Sequence, residues 1–119
     1  MKLTSQQLAD LLHMTKYGFH KLAANLKIPH SKKGNKFIYD TEHTKCRHFF
    51  ESVELAFCNP SLQPIYSVRD IAQRRDQHKD TIRAFLIEHD IKIYYSGRKW
   101  LVMLVDLQRF QQLTHKSDN

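Results

Sequence analysis

At 119 residues the chain has room for one ordinary domain or two very small ones. A hydrophobic share of 41% with only three glycines and three prolines excludes a disordered or low-complexity chain, and the longest apolar run, residues 100–105, is too short to cross a bilayer. Nineteen Lys and Arg against twelve Asp and Glu leave a net charge of +7, which favours a polyanionic partner.

The start of the chain, "MKLTSQQLAD", turns polar at once and lacks the apolar core of a signal peptide, so a cytoplasmic protein is expected. Cys46 and Cys58 are the only cysteines, in keeping with a reduced compartment. Basic charge is shared rather than confined to a tail. Residues 1–60 carry nine Lys/Arg against five Asp/Glu, and residues 61–119 carry ten against seven.

Taken in order, the first predicted element is a short helix. Thr4 stands where its hydroxyl can cap an unpaired N–H, and Leu8, Ala9 and Leu12 face inward. After a brief turn a second helix begins near Thr15, with Phe19, Leu22 and Ala23 on one face. An extended stretch from Ile28 leads to the loop "KKGN" and a β-rich return, "KFIY". The segment 40–57 predicts a long helix capped by Asp40 or Thr41, with Cys46, Phe49, Phe50, Val53 and Phe57 inward. Residues 59–65, which hold "NPSLQP", read as a linker.

The elements then recur. Thr4 aligns with Ser67, 63 residues on, and the same ungapped shift puts Leu8 on Ile71, Ala9 on Ala72, Lys16 on Lys79 and Phe19 on Ile82. Leu22 falls on Phe85, Ile28 on Ile91, Gly34 on Gly97, Lys36 on Lys99 and Phe37 on Trp100. Two copies of one module are expected, at 1–58 and 66–119. In the second, Ser67 caps a helix with Ile71 and Ala72 inward. The next helix starts near Lys79–Asp80 with Ile82, Phe85 and Leu86 inward, and the loop "SGRK" leads to the return "KWLVMLV". A closing helix is predicted at 106–113 and a frayed tail at 114–119. Helix, turn, helix and hairpin make a winged helix-turn-helix. The fold class expected is mainly α with short β-hairpin wings (α+β), built from two such modules in tandem.

Ser67, Ala72, Ile82, Phe85, Gly97, Arg98, Trp100, Asp106 and Phe110 follow a specific order: capped helix with an interior alanine, recognition helix, glycine–cation–aromatic wing, acidic residue and last helix. In this the second module resembles the small winged helix-turn-helix domains of the excisionase and MerR-type group. The first module resembles them more loosely, through Thr4, Ala9, Phe19, Leu22, Gly34, Phe37 and Asp40. The chain departs from the group in placing His13 in the first module and Asp76 in the second, where glycine often stands, in the turn between the helices. The resemblance implies a small DNA-binding regulator of transcription or of excision and recombination, in a phage, plasmid or other mobile element.

Outward residues at the start of a second helix contact base edges in such proteins. By position these are Thr15, Lys16, Tyr17, His20 and Lys21 in the first module, and His78, Lys79, Asp80, Thr81 and Arg83 in the second. Arg83 is the favoured direct reader, because a guanidinium can bond guanine O6 and N7 together. Lys32, Lys33, Asn35 and Lys36, with Arg98 and Lys99, are expected on phosphate or in the minor groove. Arg69, Arg74 and Arg75 are candidate backbone contacts, although "QRRDQHKD" also reads as a solvated helix end. Phe37 and Trp100 are expected to pack on the recognition helices, and one of Tyr94 and Tyr95 to be exposed.

The partner expected is double-stranded DNA, with homodimerisation or cooperative assembly on it open. The rival readings are a winged-helix protein-interaction module, whose cations would be scattered, and a replication or partition accessory protein. Single-strand or RNA binding would want aromatics exposed on a sheet. His43, Cys46, His48 and Cys58 lack the two tight ligand pairs of structural zinc, so no metal and no cofactor are expected. No phosphate loop, nucleophile elbow or H-E-x-x-H occurs, and an enzyme is not expected.

Overall fold

The computed structural model describes residues 1–117. Its first half runs β1 (Lys2–Thr4), α1 (Ser5–Leu11), α2 (Lys16–Leu26), β2 (Ser31–Lys33), β3 (Lys36–Asp40) and α3 (Arg47–Cys58). The second runs β4 (Ile65–Ser67), α4 (Val68–Arg74), α5 (Lys79–Glu88), β5 (Tyr94–Ser96), β6 (Lys99–Met103) and α6 (Leu104–Ser117). The fold is therefore mixed α+β, with six helices and two three-stranded antiparallel sheets among the described residues, ordered β1-β3-β2 and β4-β6-β5.

Local chemistry sets the helix starts. Thr4 and Ser67 cap α1 and α4 by accepting from the N–H groups of Gln7 and Asp70, and Gln7 returns the bond to the Thr4 N–H. Thr15 caps α2 through the Gly18 N–H, and the His78 ring nitrogen caps α5 through the Asp80 N–H.

Backbone conformation repeats with the same 63-residue shift. Left-handed residues stand at His13 and Asp76 between the helices, at Lys27 and Asp90 after them, and at Gly34 and Gly97 in the hairpins, all with φ between 52° and 64°. For a residue with a Cβ this conformation costs roughly 1–2 kcal/mol. His13→Gly is thus expected to keep the fold and raise stability by up to about 1 kcal/mol, glycine's greater backbone entropy offsetting the rest. A higher thermal midpoint, with unchanged circular dichroism, is the result to look for.

Three boundaries differ from the sequence expectation. A third strand, β1 or β4, joins each hairpin. The helix expected from residue 40 begins only at Arg47, because Asp40 is drawn into β3 opposite Lys2 and both Thr41 donors go to the Met1 carbonyl. Within it Phe49, Phe50 and Val53 are buried as expected, but Ala56 takes the next inward place and Phe57 is 54% exposed. The last helix starts at Leu104 rather than Asp106, since the Val105 N–H is capped by the Ser52 hydroxyl of α3. It runs on through Ser117, so most of the expected tail is helical, and residues 118–119 lie outside the described residues.

The segment 59–65 is tied down. Pro64 is buried and accepts from the Leu104 N–H, the Gln63 N–H donates to the Tyr66 hydroxyl, and Ile65 already belongs to β4.

The two halves dock head to tail. Tyr66 and Val102 turn one face of the second sheet to its own core, while Ile65, Leu101 and Met103 turn the other face into the core of the first half, with Leu8, Phe19 and Phe50. At the matching positions of the first sheet stand Lys2, which is exposed, and Ile38 and Asp40, which are half-buried, and no second half covers that face. On the far side of the second half, Phe110 of α6 closes over the helices, edge-on to Phe85 at 5.2 Å and beneath Arg75. The stack thus ends in an uncovered sheet face on one side and in α6 on the other. α2 packs against β5 and α3 against β6, whereas among the described residues α5 makes no comparable contact with β2, nor α6 with β3. The halves are therefore not related as a two-fold pair would be.

Candidate functional site

On a helix of 3.6 residues per turn, Lys16 and His20 share one side of α2, while Gly18, Leu22 and Asn25 share the opposite side. The first side looks onto its own hairpin. There Thr4, Gln6, Lys16, His20, Lys32, Asn35, Lys36 and Phe37 line an open groove of about 450 Å³. The second side looks onto the hairpin of the other half, where the Asn25 side-chain amide donates to the Ser96 hydroxyl at 2.9 Å. Between them lies a larger cleft of about 1010 Å³. Its floor is Leu12, Met14, Leu22, Ile65, Trp100 and Leu101, and around them stand Lys21, Arg69, Lys79, Arg98 and Lys99.

Six lining positions recur in both grooves. Thr4, Gln6, Lys16, Asn35, Lys36 and Phe37 of the first correspond, under the 63-residue shift, to Ser67, Arg69, Lys79, Arg98, Lys99 and Trp100 of the second. Among the described residues, Lys16, Lys32 and Lys36 with Lys21, Arg69, Lys79, Arg98 and Lys99 make eight cations, against Asp70 as the one carboxylate lining either groove. Excess positive charge is thus gathered where a helix start, a hairpin and a shallow trough meet. Such a surface suits a chain of phosphates.

The other expected site residues fall as follows. Thr15, Tyr17, Lys33, His78 and Thr81 are exposed, Tyr17 at 78%. Thr15 and His78 are occupied as caps. His20 is half-buried, its ring 5.3 Å from that of Phe37 and its Nε2 enclosed without a hydrogen-bond partner. At the matching position, Arg83 is half-buried with its guanidinium 5.0 Å over Trp100 and its Nε unpartnered. The Lys79 ammonium lies over the same ring at 5.4 Å. Phe37 and Trp100 thus lie beside α2 and α5, as their spacing predicts, and Tyr95 is exposed where Tyr94 is half-buried.

Arg74 and Arg75 are not brought to either groove. They lie over Tyr66 at 5.3 Å and Phe110 at 5.1 Å, where a guanidinium on an aromatic face stabilises the packing. What the sequence reading missed is the contribution of Leu12, Met14 and Asn25 of the first half to the cleft of the second. No local signal could have found it, because it depends on how the halves dock.

Tyr94 lies against the first half's core. Burial, with smaller contributions from the charges of Asp106 and Cys46, pushes its phenol up, which keeps it neutral at physiological pH. The residues once weighed as metal ligands go separate ways. His43 accepts from the Lys45 N–H, His48 faces Asp106 at 3.1 Å, and Cys46 points at the Leu26 and Lys27 carbonyls. No cluster of three or more potential metal ligands, and no helix long and apolar enough to cross a membrane, occurs among the described residues.

Comparison with known proteins finds no matching family model, no matching curated protein and no matching solved structure.

Proposed function

We propose that this chain is a sequence-specific double-stranded DNA-binding protein made of two tandem winged helix-turn-helix modules, each presenting its second helix and its hairpin wing to the duplex. The observation that carries the reading is the pair of grooves built from matching positions, with eight cations and one carboxylate between them. A protein-interaction module would have no need to gather its cations twice at one equivalent place. The docking of α2 on β5, with no comparable contact of α5 on β2 among the described residues, breaks two-fold symmetry between the halves and favours a monomer on a direct-repeat or asymmetric site over a dimer on a palindrome. The resemblance to excisionase-type domains makes a small cytoplasmic regulator of transcription, or of excision and recombination in a mobile element, the role proposed.

Selection from a randomised duplex library tests this. One enriched motif of about one to two helical turns, bound with an affinity that falls steeply with salt, is expected. Weak binding without enrichment would sink the reading and point to a protein partner.

A further inference from the structure

The second helices of the two halves differ most on the face they turn to solvent. On α2 that face carries Tyr17, Lys21 and Ala24, and the matching positions on α5 are Asp80, Ala84 and Ile87. All six are exposed, Tyr17 at 78% and Ile87 at 54%. One face thus offers an aromatic hydroxyl and an ammonium. The other offers a carboxylate, a methyl group and a branched alkyl chain.

The cations of α5 do not make up the difference. It has two, Lys79 and Arg83, and both lie over the Trp100 ring, turned towards the hairpin and away from the solvent face. Asp80, meanwhile, has a local task. It sits in the first turn of α5, where a negative charge stabilises the helix start, with its carboxylate 3.5 Å from the His78 ring. α2 has no acidic residue in its first turn, so its positive end is left uncompensated beside Lys16. A phosphate approaching α2 is attracted, and one approaching α5 head-on meets Asp80.

We infer that the labour is divided: α2 reads bases through Tyr17 and Lys21, while the second half holds the sugar–phosphate backbone with Arg69, Lys79, Arg98 and Lys99 and reads little or nothing through α5. This rests on the duplex-binding reading above. It places the strand between the halves, with the ammonium of Lys21 on one wall of the cleft and the hairpin cations on the other. Lys21 can bond guanine O6 or N7 and Tyr17 can contact a base edge or a thymine methyl group, whereas Ala84 and Ile87 can make apolar contacts alone.

The experiment compares Tyr17→Ala, Lys21→Ala, Asp80→Ala, Ile87→Ala and Arg98→Ala on two probes, the duplex selected by the unaltered protein and a scrambled duplex of equal length. All five positions are exposed, and circular dichroism verifies each fold. Tyr17→Ala and Lys21→Ala are expected to lower the ratio of specific to scrambled affinity by about tenfold or more. Asp80→Ala and Ile87→Ala should leave that ratio within about threefold, and Arg98→Ala should weaken both probes alike. A collapsed ratio or an altered selected motif in the Asp80 or Ile87 variants would overturn the division of labour while leaving DNA binding intact. Failure of the unaltered protein to bind any duplex would overturn both proposals.

Discussion

Met103→Asp is expected to destabilise the protein by about 4 kcal/mol or more and to undock its two halves. Met103 is 1% exposed and sits with Ile65 and Leu101 on the sheet face that the first half covers. Removing a buried side chain of this size costs roughly 2–5 kcal/mol, and an unpaired carboxylate in its place adds a desolvation penalty of several more. Against a total of about 5–15 kcal/mol for a small domain, that is most of what holds the docked state together. Met103→Leu keeps the volume and apolar character and should cost less than about 1.5 kcal/mol. Asp40→Met, the reverse exchange at the matching position of the open sheet, should be mild because that face has no covering half. Urea denaturation followed by circular dichroism reads the first quantity, and analytical size exclusion reads the undocking as a larger hydrodynamic radius. An unchanged midpoint for Met103→Asp would mean that the halves are not held by this face. Loss of duplex affinity should accompany undocking, since Leu12, Met14 and Lys21 come to the cleft from the opposite half.

The exchange of Lys2, Ile38 and Asp40 for Ile65, Leu101 and Met103 also shows where the sequence could be read and where it could not. The 63-residue register holds from β1 to β3 and from β4 to β6, and fails at the closing helices, where α3 starts at Arg47 and α6 at Leu104. Strands, the starts of the first two helices and hairpins fall on matching residues, because caps at Thr4, Ser67 and Thr15, glycines at 34 and 97 and the inward apolar residues are local signals. Three-residue strands such as β1 are too short for alternation to register, and their pairing is decided by a partner nearly forty residues away. The late start of α3 follows from the same pairing, which claims Asp40 and Thr41 before they can cap a helix. Which helix and which sheet face would meet was in principle visible as a polar-to-apolar contrast at equivalent positions. It acquires meaning only once the sheet face is known. Arg83 illustrates the opposite limit. Its place at the start of a helix was legible, but whether a long side chain points at solvent or folds onto Trp100 depends on a ring seventeen residues later in the chain.

Neutralising Arg69, Lys79, Arg98 and Lys99 together is expected to have the largest effect on binding. The four stand at one rim of the cleft, at the positions that repeat in the first half's groove as Gln6, Lys16, Asn35 and Lys36. Each phosphate contact contributes about 0.9 to the slope of log affinity against log salt, so losing four should flatten that slope by between about three and four. Binding at near-physiological salt should fall by roughly two to four orders of magnitude, for specific and scrambled duplexes alike. Net charge alone could weaken DNA binding, so the comparison needs a variant that removes as many charges elsewhere. Lys2, Lys45, Arg47 and Lys92 are exposed and line neither groove. Changing these four to alanine likewise takes four from the net charge of +7. Without direct phosphate contacts to lose, that variant should keep most of its slope and lose affinity only through the weaker long-range field. Equal losses in the two variants would mean that the protein attracts polyanions by its overall charge, and the matched grooves would then have no special part in binding. A steep loss confined to the cleft variant, with the selected motif unchanged, is the result that ties affinity to the second half's hairpin and leaves recognition to α2.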